Sequence, residues 1–304
     1  MEILLTGATG FLGSHLARAL MAESQSVTCI TRQSSSLERL EQLFAFPNFR
    51  VVAIDNQRTR ETFDQLLSEK KFDAVVHVAT EYGRGSTQEV GRVLESNIVM
   101  PVQLLNSAIE NNVPLFVNTD SYFNKPLLNY LALPDYSLSK RSFLEWLKVS
   151  ANKIAVVNMR LEHVYGPSDN ENKFVPFVID QLVMKQPDRL SLTEGTQKRD
   201  FIFVSDVVKA FQVVLENFDR KQIAQGFWEF EIGTGVSTPV SDVSKIVKTL
   251  TESPTELGFG DLESRENEIE DSFSNHLFSD TFSWQPEIDL RAGLEKILRS
   301  EIGR

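Results

Sequence analysis

The sequence opens Met1-Glu2-Ile3-Leu4-Leu5-Thr6-Gly7-Ala8-Thr9-Gly10-Phe11-Leu12-Gly13. A short apolar run breaks into three glycines, and a helix-like pattern resumes from Phe11. A strand that passes through a glycine-rich turn into a helix brings backbone N–H groups and the positive helix end against a pyrophosphate. The spacing is G-x-x-G-x-x-G rather than the general G-x-G-x-x-G, so its weight comes from lying between strand and helix. The turn predicts a bound dinucleotide held by Gly7, Thr9, Gly10, Phe11, Leu12 and Gly13.

The strand–helix rhythm continues downstream. Strands are predicted over 2–6, 26–31, 50–53, 73–78, 114–118 and 153–159, and helices over 11–22, 60–70, 88–111 and 134–150. Short Val- and Ile-rich runs separated by helices indicate a parallel sheet covered on both faces. Right-handed crossovers then make it doubly wound, a Rossmann-type α/β fold. Residues 1–165 are assigned to this nucleotide-binding domain and 166–304 to a smaller C-terminal substrate-binding lobe. A strand at 199–204 precedes a helix at 205–217 that is expected to return to the first domain, and an amphipathic helix at 290–300 closes the chain. The charge-dense stretch 263–271 reads as a solvated loop.

Composition narrows the function. The 304 residues are 41% apolar and 24% charged with a net charge of −11, which argues against a nucleic-acid-binding surface. The single cysteine, Cys29, excludes an internal disulfide, and its apolar surroundings read as core packing rather than a reactive thiol. The N-terminus has no signal-peptide character and no stretch reaches the ~20 apolar residues of a membrane span. The expectation is a cytoplasmic protein with no membrane partner and no metal site.

The end of the second strand bears on cofactor choice. An NAD site places a carboxylate there for the ribose 2′-hydroxyl. This chain has Thr31-Arg32-Gln33-Ser34-Ser35-Ser36, with no carboxylate before Glu38. Arg32 is suited to a 2′-phosphate, with Ser34 and Ser35 as hydroxyl donors, which favours NADPH over the alternative of an exposed surface arginine. Asp55 is either an adenine contact or a turn residue. Ala79 allows backbone to approach the cofactor, and Asn97 is either a brace for the site or an ordinary helix polar group. His77, inside a strand, reads as structural.

Tyr136 and Lys140 form Y-x-x-x-K on a predicted helix, one turn apart on the same face. A free phenol near pKa ~10 needs help to exchange a proton at neutral pH, and a neighbouring ammonium lowers that value. Thr119, just past the fifth predicted strand, is positioned to bind a carbonyl oxygen; the alternative is a cap. A hydroxyl after strand five and a Tyr/Lys pair on the next helix form the layout for hydride exchange with a carbonyl.

The segments GATGFLG, HVAT, Asn97, YSLSK, MRLEHVYGP, RDFIFVSDVV and Ser283-Trp284-Gln285-Pro286 together resemble the extended short-chain dehydrogenase/reductases acting on nucleotide sugars, across essentially the whole chain. Within that family, HVATEYG, NTDSYF and ENKFVPFVID are similar to members that reduce the 4-keto group of CDP-4-keto-3,6-dideoxy-D-glucose with NADPH. The resemblance implies that Tyr136 is the proton donor, Lys140 its partner and a ribose ligand, and Thr119 the oxygen-binding hydroxyl. It further implies nucleotide-sugar contacts from Thr80, Asp120, Ser121, His163, Lys173, Phe174 and Val175, with Arg199 and Arg265 on the diphosphate. It also implies a homodimer through the helices at 88–111 and 134–150. His163 departs from the Asn of many relatives, and Phe203 from their His or Tyr.

Three readings compete. A 4-epimerase or 4,6-dehydratase returns the hydride to its own substrate, and a dehydratase commonly carries Asp-Glu after the threonine. Here Asp120-Ser121 breaks that pair, so net reduction is the favoured expectation, with elimination through Asp120 as the alternative. A non-catalytic NADP-binding regulator is the third reading, opposed by the complete Thr/Tyr/Lys set.

Overall fold

The computed structural model describes residues 1–55, 59–83, 87–125, 133–265 and 268–302. Contacts divide the chain into two units. The first takes Met1–Lys125, Leu133–Arg160 and Val208–Phe230; the second takes Leu161–Val207 and the chain from Glu231 onward.

The first unit is built on β1 (Glu2–Thr6), α1 (Phe11–Ala22), β2 (Ser26–Arg32), β3 (Phe49–Ile54), α2 (Thr59–Glu69) and β4 (Ala74–His77). It continues through α3 (Thr87–Leu94), α4 (Met100–Glu110), β5 (Leu115–Ser121), α5 (Pro134–Ser150) and β6 (Ala155–Leu161). The second unit carries β7 (His163–Tyr165), α6 (Phe174–Ile179), β8 (Arg189–Leu192), β9 (Lys198–Arg199) and β10 (Phe201–Phe203). The chain crosses between units within α7 (Val204–Asp219) and β11 (Phe227–Ile232). It ends through β12 (Thr238–Pro239), α8 (Val240–Thr251), β13 (Glu256–Phe259), α9 (Leu277–Phe282) and α10 (Leu290–Ile302).

The main sheet is seven-stranded and parallel, flanked by helices, in the order β11-β6-β5-β4-β1-β2-β3. The doubly wound expectation holds. The chain order reverses between β1 and β4, and an open α/β sheet binds its ligand at that switch, beyond the strand C-termini. Thr6 registers with Ile30 on one side and His77 on the other, so β2 and β4 both end beside the glycine turn. Leu4, Phe63, Val75, Phe116, Phe143 and Leu147 belong to one buried cluster joining strands to helices. Cys29 is fully buried within β2, and burial pushes its thiol up to about 12, so it is core.

Several elements differ from expectation. The helix expected over 88–111 is α3 and α4 joined by a π-helical segment, Glu95–Val99. Pro101 lacks the N–H that would continue the α-ladder into this segment, and the backbone takes up a wider turn. The strand expected to end at 118 runs on through Ser121. The predicted strand 199–204 is two strands: β9 pairs antiparallel with β12, β10 pairs parallel with β7, and Asp200 separates them. The Asp200 carboxylate accepts from the backbone N–H groups of Thr234, Gly235 and Ser274 and from the hydroxyls of Thr234 and Ser274, which drives the change of partner. The stretch 263–271 is not simply solvated. Apart from 266–267, which lie outside the described residues, it is anchored by buried Ile269 and by Glu268 on Arg199. A 3-10 helix at Glu38–Ala45 was not foreseen. No helix among the described residues is long and apolar enough to cross a membrane.

Candidate active site

The glycines of the first turn have separate duties. Gly7 takes φ of +74°, and a Cβ there would lie 2.5 Å from the Ala79 nitrogen. A Cβ on Gly13 would lie 2.1 Å from the Gly7 carbonyl oxygen. These two positions close the turn on itself and on the chain leaving β4. Gly10 differs: its φ is −82°, it is exposed, and its Cβ would come no closer than 3.3 Å to the Gly7 oxygen. It caps α1 without a side-chain hydrogen bond, and no acidic residue stands in the first turn. The positive end of α1 therefore carries neither a capping side chain nor an acidic residue in its own first turn.

The strand ends are tied together beneath this turn. Thr6 Oγ1 accepts from the Val78 and Ala79 N–H groups, both at 3.3 Å, and shares a hydrogen bond with His77 Nδ1 at 2.8 Å. Burial first, then the Lys140 charge, pushes His77 down to about 3. The ring is therefore held neutral beside Thr6, in keeping with a structural reading of His77.

Asn97 sits in the π-helical segment, the kind of irregularity that often marks a site. Its amide nitrogen donates to the Glu81 carbonyl at 2.8 Å and to Ser139 Oγ at 2.9 Å. Its amide oxygen accepts from Glu81 N–H at 2.8 Å and from Thr80 Oγ1 at 3.3 Å. Ser139 Oγ in turn donates to the Tyr136 carbonyl. Asn97 therefore couples the loop after β4 to the helix turn carrying Tyr136 and Lys140.

The three expected catalytic residues converge in the first unit. Lys140 Nζ donates to the Thr119 backbone carbonyl at 2.9 Å. Because β5 continues through Ser121, Thr119 and Ser121 share one strand face and Asp120 takes the other. Among the described residues, the buried Thr119 Oγ1 has no hydrogen-bond partner. Tyr136 is 3% exposed, stacks on Tyr82 with centroids 4.8 Å apart, and meets Phe123 edge-on. Burial pushes the Tyr136 phenol well above its ordinary range, with Tyr82, Asp120 and Tyr122 adding to the rise and a hydrogen bond with the Ser121 side chain opposing it. The expectation that Lys140 lowers this value does not hold here: burial is the largest cause, and it favours the neutral phenol. Lys140 is itself pushed down to about 8 by burial, against the pull of Asp120.

Asp120 is committed behind the strand. Its carboxylate accepts from Asn124 and Asn158 side chains at 3.0 and 3.1 Å and pairs with buried Arg160 at 3.7 Å. Arg160 also pairs with Glu229 at 2.9 Å, to which Asn158 donates. This polar ladder crosses β5, β6 and β11.

The other expected residues are spread more widely. Arg32 ends β2 and faces Glu81 across 3.8 Å; Ser34 is exposed, and Ser35 N–H closes a turn onto the Arg32 carbonyl. Asp55 is exposed after β3, its carbonyl accepting from the Thr59 hydroxyl. Within the second unit, burial and the nearby charges of Lys173 and Arg199 push His163 down to about 3. Lys173 pairs with Asp169 at 3.0 Å at the start of α6, where Phe174 and buried Val175 follow. Arg199 is buried and engaged by the Lys198 and Ile269 carbonyls and by Glu268, whereas Arg265 is exposed on its loop. Glu81 escaped the sequence reading because only the fold brings it to the end of β2.

Residues 3–233 match the model of the NAD dependent epimerase/dehydratase family. The chain belongs to that family. It is 37% identical over 305 residues to the CDP-abequose synthase of Salmonella typhimurium strain LT2, covering 98% of this chain and 97% of that protein. It is 33% identical to the CDP-abequose synthase of Salmonella muenchen over 98% of this chain and 97% of the relative. Among solved structures, the UDP-glucuronic acid 4-epimerase of Bacillus cereus, in complex with UDP-glucuronic acid and NAD, has a TM-score of 0.83 at 22% identity. It covers 99% of this chain and all of that one, and the likeness establishes the fold of the family.

Proposed function

We propose that this family member is an NADPH-dependent reductase of the 4-keto group of a nucleotide-linked deoxysugar. The substrate proposed is of the CDP-4-keto-3,6-dideoxyglucose type, giving CDP-abequose or its C4 stereoisomer, with a dTDP-4-keto-6-deoxy sugar as the nearest alternative. Thr119 Oγ1 carries the reading: a buried hydroxyl without a partner among the described residues, on the strand face it shares with the hydroxyl bonded to Tyr136. Buried polar groups are rarely left unpaired, and a carbonyl oxygen supplies the acceptor that Thr119 lacks. The likeness to two CDP-abequose synthases supports the substrate class.

The residues fit a pyridine nucleotide, since the bare face of Gly10 and the first turn of α1 form a cradle for a pyrophosphate. When bound, such a cofactor supplies a hydride for a sugar carbonyl carbon. In this mechanism Thr119 Oγ1 donates to the carbonyl oxygen and steadies its growing negative charge. Tyr136, held protonated by its enclosure, gives its proton to the emerging alkoxide. Ser121 then stabilises the phenolate by donating to it, and Lys140 adds its positive charge while holding the nicotinamide ribose. Net reduction is favoured over elimination because Asp120, the only carboxylate directly after Thr119, is bonded to Arg160, Asn124 and Asn158.

A homodimer is also proposed. Leu138, Trp146 and Val149 are 58%, 49% and 73% exposed on α5 and fall within an arc of about 80°. The substrate class is tested with CDP-, dTDP-, GDP- and UDP-4-keto sugars, following loss of reduced nicotinamide absorbance and the C4 configuration of the product by NMR. Turnover with the CDP or dTDP sugars is expected. Tight cofactor binding with no turnover on any member of the panel sinks the proposal.

A further inference from the structure

We infer that Glu81 is a second determinant of cofactor choice, acting against Arg32 at the adenosine ribose. The inference rests on reading the Gly7–Gly13 turn as the nucleotide site. β2 and β4 flank β1 directly, so their ends stand roughly 10 Å apart across the turn. Arg32 ends one and Glu81 follows the other; their side chains meet with Nη1 and Oε2 3.8 Å apart. Both are partly open to solvent, at 51% and 29%. Glu81 is also delivered to this place, because Asn97 holds its backbone at both the N–H and the carbonyl.

The end of the second strand is where a Rossmann fold reads the 2′ position: a carboxylate accepts from a 2′-hydroxyl, and an arginine receives a 2′-phosphate. This chain presents both. A 2′-phosphate, carrying about −1.5 to −2 charge, must draw Arg32 away from Glu81 and then sit beside the carboxylate. A 2′-hydroxyl leaves the ion pair in place and donates to Glu81. The two residues pull in opposite directions, so preference for NADPH over NADH is compressed and Glu81 sets how far.

The test measures binding, not turnover, by calorimetry on the full chain with NADPH, NADH, 2′,5′-ADP and 5′-AMP. The native protein is expected to prefer NADPH by less than about tenfold, with its nicotinamide-free analogues showing the same ratio. Glu81→Gln keeps side-chain size and the Asn97 clamp but removes the charge, and it should widen that ratio about tenfold, mainly through tighter binding of the phosphorylated ligands. Glu81→Asp, which keeps the charge but withdraws it, should fall between. Arg32→Gln should reverse the preference toward NADH. The widening should shrink at high salt, because the pair is partly solvated. An unchanged ratio in Glu81→Gln, with nucleotide binding intact, overturns this inference and leaves the cofactor site standing. Failure of the native protein to bind any of the four ligands overturns both.

Discussion

Gly10 and Gly13 lie three residues apart in one motif, yet adding a methyl group to each should produce opposite defects. At Gly13 the methyl carbon would stand 2.1 Å from the Gly7 oxygen and 2.6 Å from its carbonyl carbon. Those atoms are backbone, locked by the +74° φ of Gly7 and its contact with Ala79, so the turn must move as a body. Overpacking of this kind costs typically ~1–3 kcal/mol, and with no flexible neighbour to give way the upper end applies. For Gly13→Ala this should lower the melting temperature of the ligand-free protein by roughly 6–12 °C, at ~2–4 °C per kcal/mol. At Gly10 the methyl would meet only one atom, at 3.3 Å, and the φ of −82° suits any residue. Gly10→Ala should therefore melt within about 2 °C of the native protein, helped by reduced freedom of the unfolded chain. Its methyl would fill the face kept clear for pyrophosphate, weakening NADPH by about 10–100-fold. Differential scanning fluorimetry without ligand, paired with calorimetric titration of NADPH, separates the two outcomes. Native affinity in Gly10→Ala, or equal loss of melting temperature in both variants, refutes the division of duties.

Tyr136→Phe should lower reduction by about 10²–10⁴-fold while leaving NADPH affinity within a few-fold, as single-turnover kinetics and titration would show; near-native hydride transfer removes Tyr136 as the proton donor. Lys140 is pushed down to about 8, so it carries charge below that pH and loses it above. Since Tyr136 is pushed the other way and stays protonated, kcat/KM for reduction should be flat in neutral solution and fall about tenfold per pH unit beyond about 8. A rate that rises toward pH 9 contradicts both assignments. Arg160→Met leaves Asp120 and Glu229 without their buried cation and should cost ~3–5 kcal/mol in denaturant unfolding; a loss below about 1 kcal/mol means the ladder is not needed for stability.

The glycine turn, the parallel strands and the Tyr136/Lys140 pair were legible because each is local. Spacing of a few residues fixes a turn, a strand face or a helix face. What escaped depends on partners distant in sequence. Glu81 reaches Arg32 only because β2 and β4 both pair with β1. Thr119 was read as lying beyond its strand, but β5 continues, and the alternation it imposes turns Asp120 toward Arg160 and away from the face of Thr119. The direction of the Tyr136 shift was missed for a related reason. A Y-x-x-x-K spacing shows the ammonium but neither the burial of the phenol nor the Tyr82 ring stacked on it, which adds to the rise. The loop 263–271 looked solvated because charge density conceals that Arg199 binds Glu268 and the Ile269 carbonyl.

The central claim is that the chain performs a net reduction at C4. Incubating it with CDP-4-keto-3,6-dideoxyglucose and NADPH deuterated at the transferable C4 position tests that claim most directly. The account predicts one deuterium at C4 of the product sugar and one NADPH oxidised per sugar converted. Conversion of the sugar with no deuterium gained and no NADPH consumed would contradict it, marking an enzyme that returns the hydride to its own substrate.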